Sequence, residues 1–282
     1  MSKDVKKADS KYSDEEFDRD FEDEINLTEK AHRFAGLERF PVLYVPGYGA
    51  PPFHGRYICS RLEVEGFDVR EVQLPRLQTG DIAKSAAALA VEVQRTRYKF
   101  DAEKVNLVGH SLGGIICRYY LQKLGGWKYV HRAVYLGTPH KGVYWAVFGL
   151  ATKAGRQLVP NSALLQDLNN DPSRCRNIKC LSIISNFDEM VVPKESGILD
   201  CGYNKVVNWP IGHWGMVFSN KAIGWIVDFF DGLFDIREGF AKVYEDRDVS
   251  GNGDGNGDGN GDGDSCRQHQ EQMKQELTRK AS

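Results

Sequence analysis

The feature that most constrains this chain is a glycine-flanked serine between a strand and a helix. Lys104–Val108 (KVNLV) reads as a short strand. Gly109-His110-Ser111-Leu112-Gly113 follows at once, with an extra Gly114. Leu112–Leu124 reads as a helix ended by Gly125-Gly126. A chain that passes from strand to helix in so few residues must do so on a sharp, crowded turn. Glycines two residues either side of Ser111 let strand and helix approach closely. The serine hydroxyl then stands at the helix N-terminus, where backbone N–H groups and the helix dipole favour a developing anion.

The surrounding pattern alternates strand and helix. Strands are predicted at Pro41–Val45, Phe67–Val72, Val130–Leu136, Ile178–Ser185 and Lys205–Asn208, in addition to the one before Ser111. Helices are predicted over 53–65, ended by Gly66, over the Ala-rich 82–97 with Asp81 as N-cap, and over Lys221–Phe230. Strands spaced by helices imply an α/β fold, a mostly parallel central sheet with helices on both faces. In such sheets the ligand crevice lies at the carboxyl ends of the strands.

A serine hydroxyl needs a base to act as a nucleophile. For a serine on a strand-to-helix turn, the expected order is serine, then acid, then histidine. His213 lies in Pro210-Ile-Gly-His-Trp-Gly-Met216, after the last strand and before the closing helix, where flanking glycines leave it free to enter a crevice. His140 is the runner-up; His131 begins a strand, and His269 lies beyond a flexible linker. Asp188 follows the apolar run Leu181–Ile184 and is the expected acid, holding the histidine in one tautomer and stabilising its imidazolium. Asp200 is the other contender; Glu189 would point elsewhere, and Asp167 and Asp171 fall in a polar helix-and-turn stretch. Two backbone donors would hold the oxyanion. They are the N–H of Leu112 and one from the loop Pro46-Gly-Tyr-Gly-Ala50, with Tyr48 the expected donor.

Taken together, these segments resemble the α/β-hydrolase superfamily, and more narrowly bacterial triacylglycerol lipases and esterases and GPI-inositol deacylase-like sequences. The resemblance runs from about Pro41 to about Phe230. It rests on VLYVPGYG, NLVGHSLGG, LGTPHKG, RQLVPNSALLQDLN, SNFDEMVVP and GHWGMVFS. It implies an α/β-hydrolase fold, a catalytic triad of Ser111, Asp188 and His213, and oxyanion donors at Tyr48 and Leu112. One departure is Pro46-Gly47, where many such lipases have His-Gly; the histidine orients that loop and is not a triad member. The implied activity is hydrolysis of an apolar carboxylic ester through an acyl-enzyme. An acyltransferase or thioesterase on the same triad is the alternative, and a non-catalytic binding protein on the same fold is the third reading.

Residues 143–150 are apolar and would form either a small cap, one wall of an acyl pocket, or core; Tyr48, Phe53 and Trp214 flank the expected site. The near-zero net charge of −2 argues against a nucleic-acid binder. Charge is nonetheless uneven. Residues 1–30 carry 6 basic and 11 acidic groups, residues 31–240 carry 25 and 19, and residues 241–282 carry 6 and 9. The middle is therefore net basic, which with 143–150 would favour peripheral contact with an anionic lipid surface.

The same division suggests an acidic arm at 1–30, disordered or loosely helical, a catalytic domain at 31–240, and a flexible tail at 241–282. Asp254-Gly-Asn-Gly-Asp258-Gly259 matches half of a calcium loop, but the twelfth position is Ser265, where a bidentate Glu is needed. The six cysteines form no CxxC pair, so no zinc site, and no other cofactor, is expected; a disulfide among Cys175, Cys180 and Cys201 is the minority reading. No signal peptide and no run of roughly 18 apolar residues is visible, so a cytoplasmic protein is expected.

Overall fold

The computed structural model describes residues 39–51, 54–74, 78–170 and 178–234. The acidic arm, the Gly/Asn/Asp tail, Phe53, Asp171, Cys175 and Cys266 lie outside the described residues.

The strands are β1 (Val42–Val45), β2 (Val69–Glu71), β3 (Val105–His110), β4 (Val130–Leu136), β5 (Lys179–Ser185) and β6 (Tyr203–Val207). They form one sheet in the order β2-β1-β3-β4-β5-β6, and every neighbouring pair is parallel. The helices are α1 (Arg56–Val64), α2 (Ile82–Lys99), α3 (Leu112–Lys123), α4 (Lys153–Leu158), α5 (Ala163–Asn170) and α6 (Asn220–Phe230). Short 3₁₀ turns cover Tyr144–Gly149, Lys194–Gly197 and His213–Phe218.

Both sheet faces are covered, and the alternation of side chains along each strand shows how. Leu43, Val45, Leu107, Ala133 and Tyr135 pack with residues of α2, α3, α4 and α5. Their neighbours Val42, Tyr44, Val108, Val134 and Leu136 pack with residues of α1 and α6 on the opposite face. This two-sided burial is why the central strands read as nearly continuous apolar runs rather than as alternating ones. The Asp81 side chain accepts from Ala83 N, capping α2 as the sequence predicts.

The apolar stretch 143–150 is buried in part. Val143 and Ala146 belong to the core, whereas Tyr144 is 62% exposed. Among the described residues no helix is long and apolar enough to cross a membrane.

The chain runs from β1 outward to β2, then crosses to β3 on the other side of β1. The carboxyl ends of β1 and β3 therefore diverge to a switch point. There the loop Pro46–Ala50 and the turn at Ser111 face each other, which is where a parallel sheet opens a crevice.

Candidate active site

Ser111 leaves the end of β3 with φ 55° and ψ −123°, the left-handed half of the map for a residue that carries a Cβ. Its N–H donates to the Leu136 carbonyl at 2.8 Å, and its own carbonyl accepts from Gly114 N at 3.0 Å. The glycines around it are required by contact. A Cβ on Gly113 would stand 2.1 Å from the Val45 carbonyl oxygen, one on Gly109 would stand 2.6 Å from Gly114 Cα, and one on Gly114 would stand 2.0 Å from Thr138 Oγ1. The strained serine is thus held among close-packed neighbours, backbone at Gly109 and Gly113 and the Thr138 side chain at Gly114, and Leu112 begins α3 immediately behind it.

The loop after β1 lies against this turn. A Cβ on Gly47 would fall 2.9 Å from Ser111 Cβ and 3.1 Å from the His110 carbonyl oxygen. Tyr48 follows directly, so its backbone lies within the same approach. Its hydroxyl donates to Thr152 Oγ1 at 3.0 Å.

Asp188 and His213 come from the loops after β5 and β6, and both are 3% exposed. His213 Nδ1 stands 2.9 Å from Asp188 Oδ2. The other carboxylate oxygen, Asp188 Oδ1, accepts from the backbone N–H groups of Met190 and Val191, each at 2.8 Å. With its oxygens so engaged, the carboxylate accepts Nδ1–H from His213 and leaves the Nε2 lone pair for proton transfer. The pair sits beneath the end of β4, since a Cβ on Gly137 would be 3.0 Å from Asp188 Oδ2 and 3.2 Å from His213 Nδ1.

The alternatives from the sequence are otherwise engaged. His140 is 1% exposed; its Nδ1 lies 3.3 Å from Arg118 Nη1, its Nε2 lies 3.3 Å from Ser182 Oγ, and burial holds its pKa well below the usual histidine value. Asp200 pairs with Lys141 at 3.1 Å, and Asp167 with Lys123 at 2.6 Å. Trp214 packs edge-on to His213, with ring centroids 5.8 Å apart, and is 41% exposed; Phe218, in the same turn, is 52% exposed.

Two participants were not foreseen. Glu189 Oε2 accepts from the His213 backbone N–H at 3.0 Å, so the residue set aside as pointing elsewhere anchors the histidine turn. His110, the variable position of the serine motif, is fully buried, and its Nε2 lies 3.2 Å from the His213 carbonyl oxygen. The signal for His110 was only its place at the last residue of β3, where a side chain opposite in direction to its neighbour enters the site.

A parallel sheet in this order, with a serine elbow after its third strand, an acid after its fifth and a histidine after its sixth, is the α/β-hydrolase fold. A family model of palmitoyl protein thioesterases matches residues 77–167, a span that holds β3, the serine elbow and β4 but stops short of Asp188 and His213. Solved structures with similar folds include Bacillus licheniformis lipase BlEst2 in its mature form, at TM-score 0.59 and 19% identity over 68% of this chain and 92% of that one. Aspergillus fumigatus lipase B matches at TM-score 0.60 and 20% identity over 67% of this chain and 52% of that one. The ydeN gene product of B. subtilis matches at TM-score 0.51 and 14% identity over 70% of this chain and 99% of that one.

Proposed function

We propose that this chain is a serine hydrolase of apolar acyl esters, with Ser111 as nucleophile, His213 as general base and acid, and Asp188 as its orienting carboxylate. The single observation that carries the reading is the buried Asp188–His213 pair at 2.9 Å, reached by the same sheet edge that strains Ser111 onto its turn. Ser111 Oγ attacks the ester carbonyl while His213 Nε2 takes its proton. The oxyanion is held by the N–H groups of Leu112 and Tyr48. His213 then gives the proton to the departing alcohol, leaving an acyl-serine. Water attacks the acyl-serine, losing a proton to His213, and the carboxylic acid departs as Ser111 regains its proton. Exposed Trp214 and Phe218 beside the histidine favour an apolar acyl group.

The test is labelling by a fluorophosphonate and turnover of a p-nitrophenyl ester series from acetate to palmitate. Ser111→Ala is run in parallel, with loss of both signals expected. Turnover unchanged in the variant would remove the proposal, and an unlabelled wild-type chain would support the non-catalytic reading.

A second reading has a specific observation behind it. The match to palmitoyl protein thioesterases over residues 77–167 favours a long-chain thioester, whose thiolate leaves with less help from an acid. A matched palmitoyl ester and palmitoyl thioester, compared by kcat/KM, separates the two. Adding a competing alcohol and finding only free acid would exclude acyl transfer.

A further inference from the structure

His110 is fully buried at the carboxyl end of β3, one residue before the nucleophile, and takes no part in the chemistry above. Its ring lies between two others, 5.1 Å from the His54 ring and 4.9 Å from the His213 ring by centroid. His54 comes from the loop after β1, is 7% exposed, and packs edge-on to Trp214 at 5.0 Å. The column therefore joins the three loops that carry the proposed machinery: the oxyanion loop, the serine elbow and the histidine turn.

The hydrogen bond in the middle of this column has a direction. A carbonyl oxygen only accepts, so the 3.2 Å contact with the His213 carbonyl requires a hydrogen on His110 Nε2. His110 Nδ1 is buried with no hydrogen-bond partner among the described residues, as suits a bare lone pair on a neutral ring. A proton there would meet no acceptor.

His213 is consequently held at three points. Its N–H is held by Glu189, its Nδ1 by Asp188 and its carbonyl by His110. The first two come from one loop, after β5. The third comes from the strand that bears the nucleophile, and it fixes the histidine turn relative to Ser111. We propose that His110 is the positioning residue for His213, its Nε2–H holding the His213 backbone so that the imidazole meets the Ser111 hydroxyl. This rests on the hydrolase reading given above.

The neutral form is also favoured by the surroundings. Burial, then the facing His213 and His54, holds the His110 pKa well below the usual histidine value. His110 thus stays a neutral donor while His213 cycles through its imidazolium.

Two measurements on the full chain test the proposal. Nitrogen NMR with ¹⁵N-histidine should show His110 as the neutral Nε2–H tautomer, without titration between about pH 5 and 8. The Nδ1–H tautomer, or titration in that window, would overturn it whether or not the protein is active. Steady-state kinetics on a soluble short-chain ester should show His110→Leu with kcat lowered about 100-fold and KM within about twofold, the scale of a misplaced general base. His110→Gln, which keeps a side-chain N–H donor, should recover at least about tenfold of that loss. Equal kcat in wild type and folded His110→Leu, or no recovery in a folded His110→Gln, overturns the positioning role. Absence of any turnover or fluorophosphonate labelling in the wild type is a different failure and removes the hydrolase reading itself.

Discussion

The Tyr48 hydroxyl donates to Thr152 Oγ1 at 3.0 Å, and Thr152 in turn accepts from Gly155 N as the N-cap of α4. The loop after β1 is thereby tied to the helix that follows the 3₁₀ turn at Tyr144–Gly149. The loop begins at Pro46-Gly47, and the tyrosine supplies it with an anchor to α4.

Tyr48→Phe removes that anchor and leaves the backbone N–H in place. One lost hydrogen bond is worth about 1 kcal/mol, so kcat on a p-nitrophenyl ester should fall about fivefold with KM nearly unchanged. A raised KM with kcat intact would assign Tyr48 to substrate binding instead.

Ser111 stores backbone strain that a glycine would release. Its φ of 55° and ψ of −123° lie close to the first central position of a type II′ turn, which glycine dominates. Ser111→Gly should melt higher than Ser111→Ala, by about 1 kcal/mol in stability, with both inactive. Calorimetry on the two variants decides it, and equal melting would show that the turn is not strained.

Two glycines predict opposite outcomes. Gly113→Ala places a Cβ 2.1 Å from the Val45 carbonyl oxygen, backbone that cannot step aside, and should cost more than about 3 kcal/mol or prevent folding. Gly224 is exposed within α6 and a Cβ there meets nothing within 4 Å. Gly224→Ala should stabilise by about 1 kcal/mol, read by urea denaturation.

The buried histidines set an acid limit. Burial lowers the pKa of both His110 and His140 well below the ordinary value, so the folded state refuses protons that the unfolded chain accepts. Their contribution is fully present above the unfolded value near pH 6.5 and is lost as pH falls toward the folded values, at about 1.4 kcal/mol per pH unit for each. Denaturation followed from pH 8 to 5 should be level in this contribution down to about pH 6.5 and show the slope below it, and His110→Gln should remove one proton's share of that slope. A flat profile would mean that both rings take up protons in the native state as readily as in the unfolded chain.

Much of the fold was legible. Strand β4 runs Val130–Leu136 as read from the sequence, and the other strands differ by one or two residues at one or both ends. Helix α1 begins at Arg56 rather than at residue 53, with Gly55 as its N-cap; a Cβ on Gly55 would lie 2.4 Å from the Tyr44 ring, a contact between distant strand and helix that local sequence does not encode. The short helix α5 was visible only as part of a polar helix-and-turn stretch and α4 was not read as a helix, because eight and six residues give little periodicity to read.

The candidate site divides the same way. Ser111 was legible because its neighbours are fixed by the steric demands of a local turn. Asp188 and His213 could be singled out because each follows a strand of a parallel sheet, whose carboxyl ends share one edge. The roles of Glu189 and His110 were decided by tertiary structure alone. Both act on the backbone of His213, 24 and 103 residues further along the chain, and a hydrogen bond to a carbonyl or an N–H leaves no trace in the identity of the residue that bears it. Sequence by itself determined the strand–elbow–helix turn and the order of the candidate side chains, since these follow from local sterics and strand succession. Only the folded sheet decided how His213 is held against the serine turn, since that depends on which loops the strand order brings together.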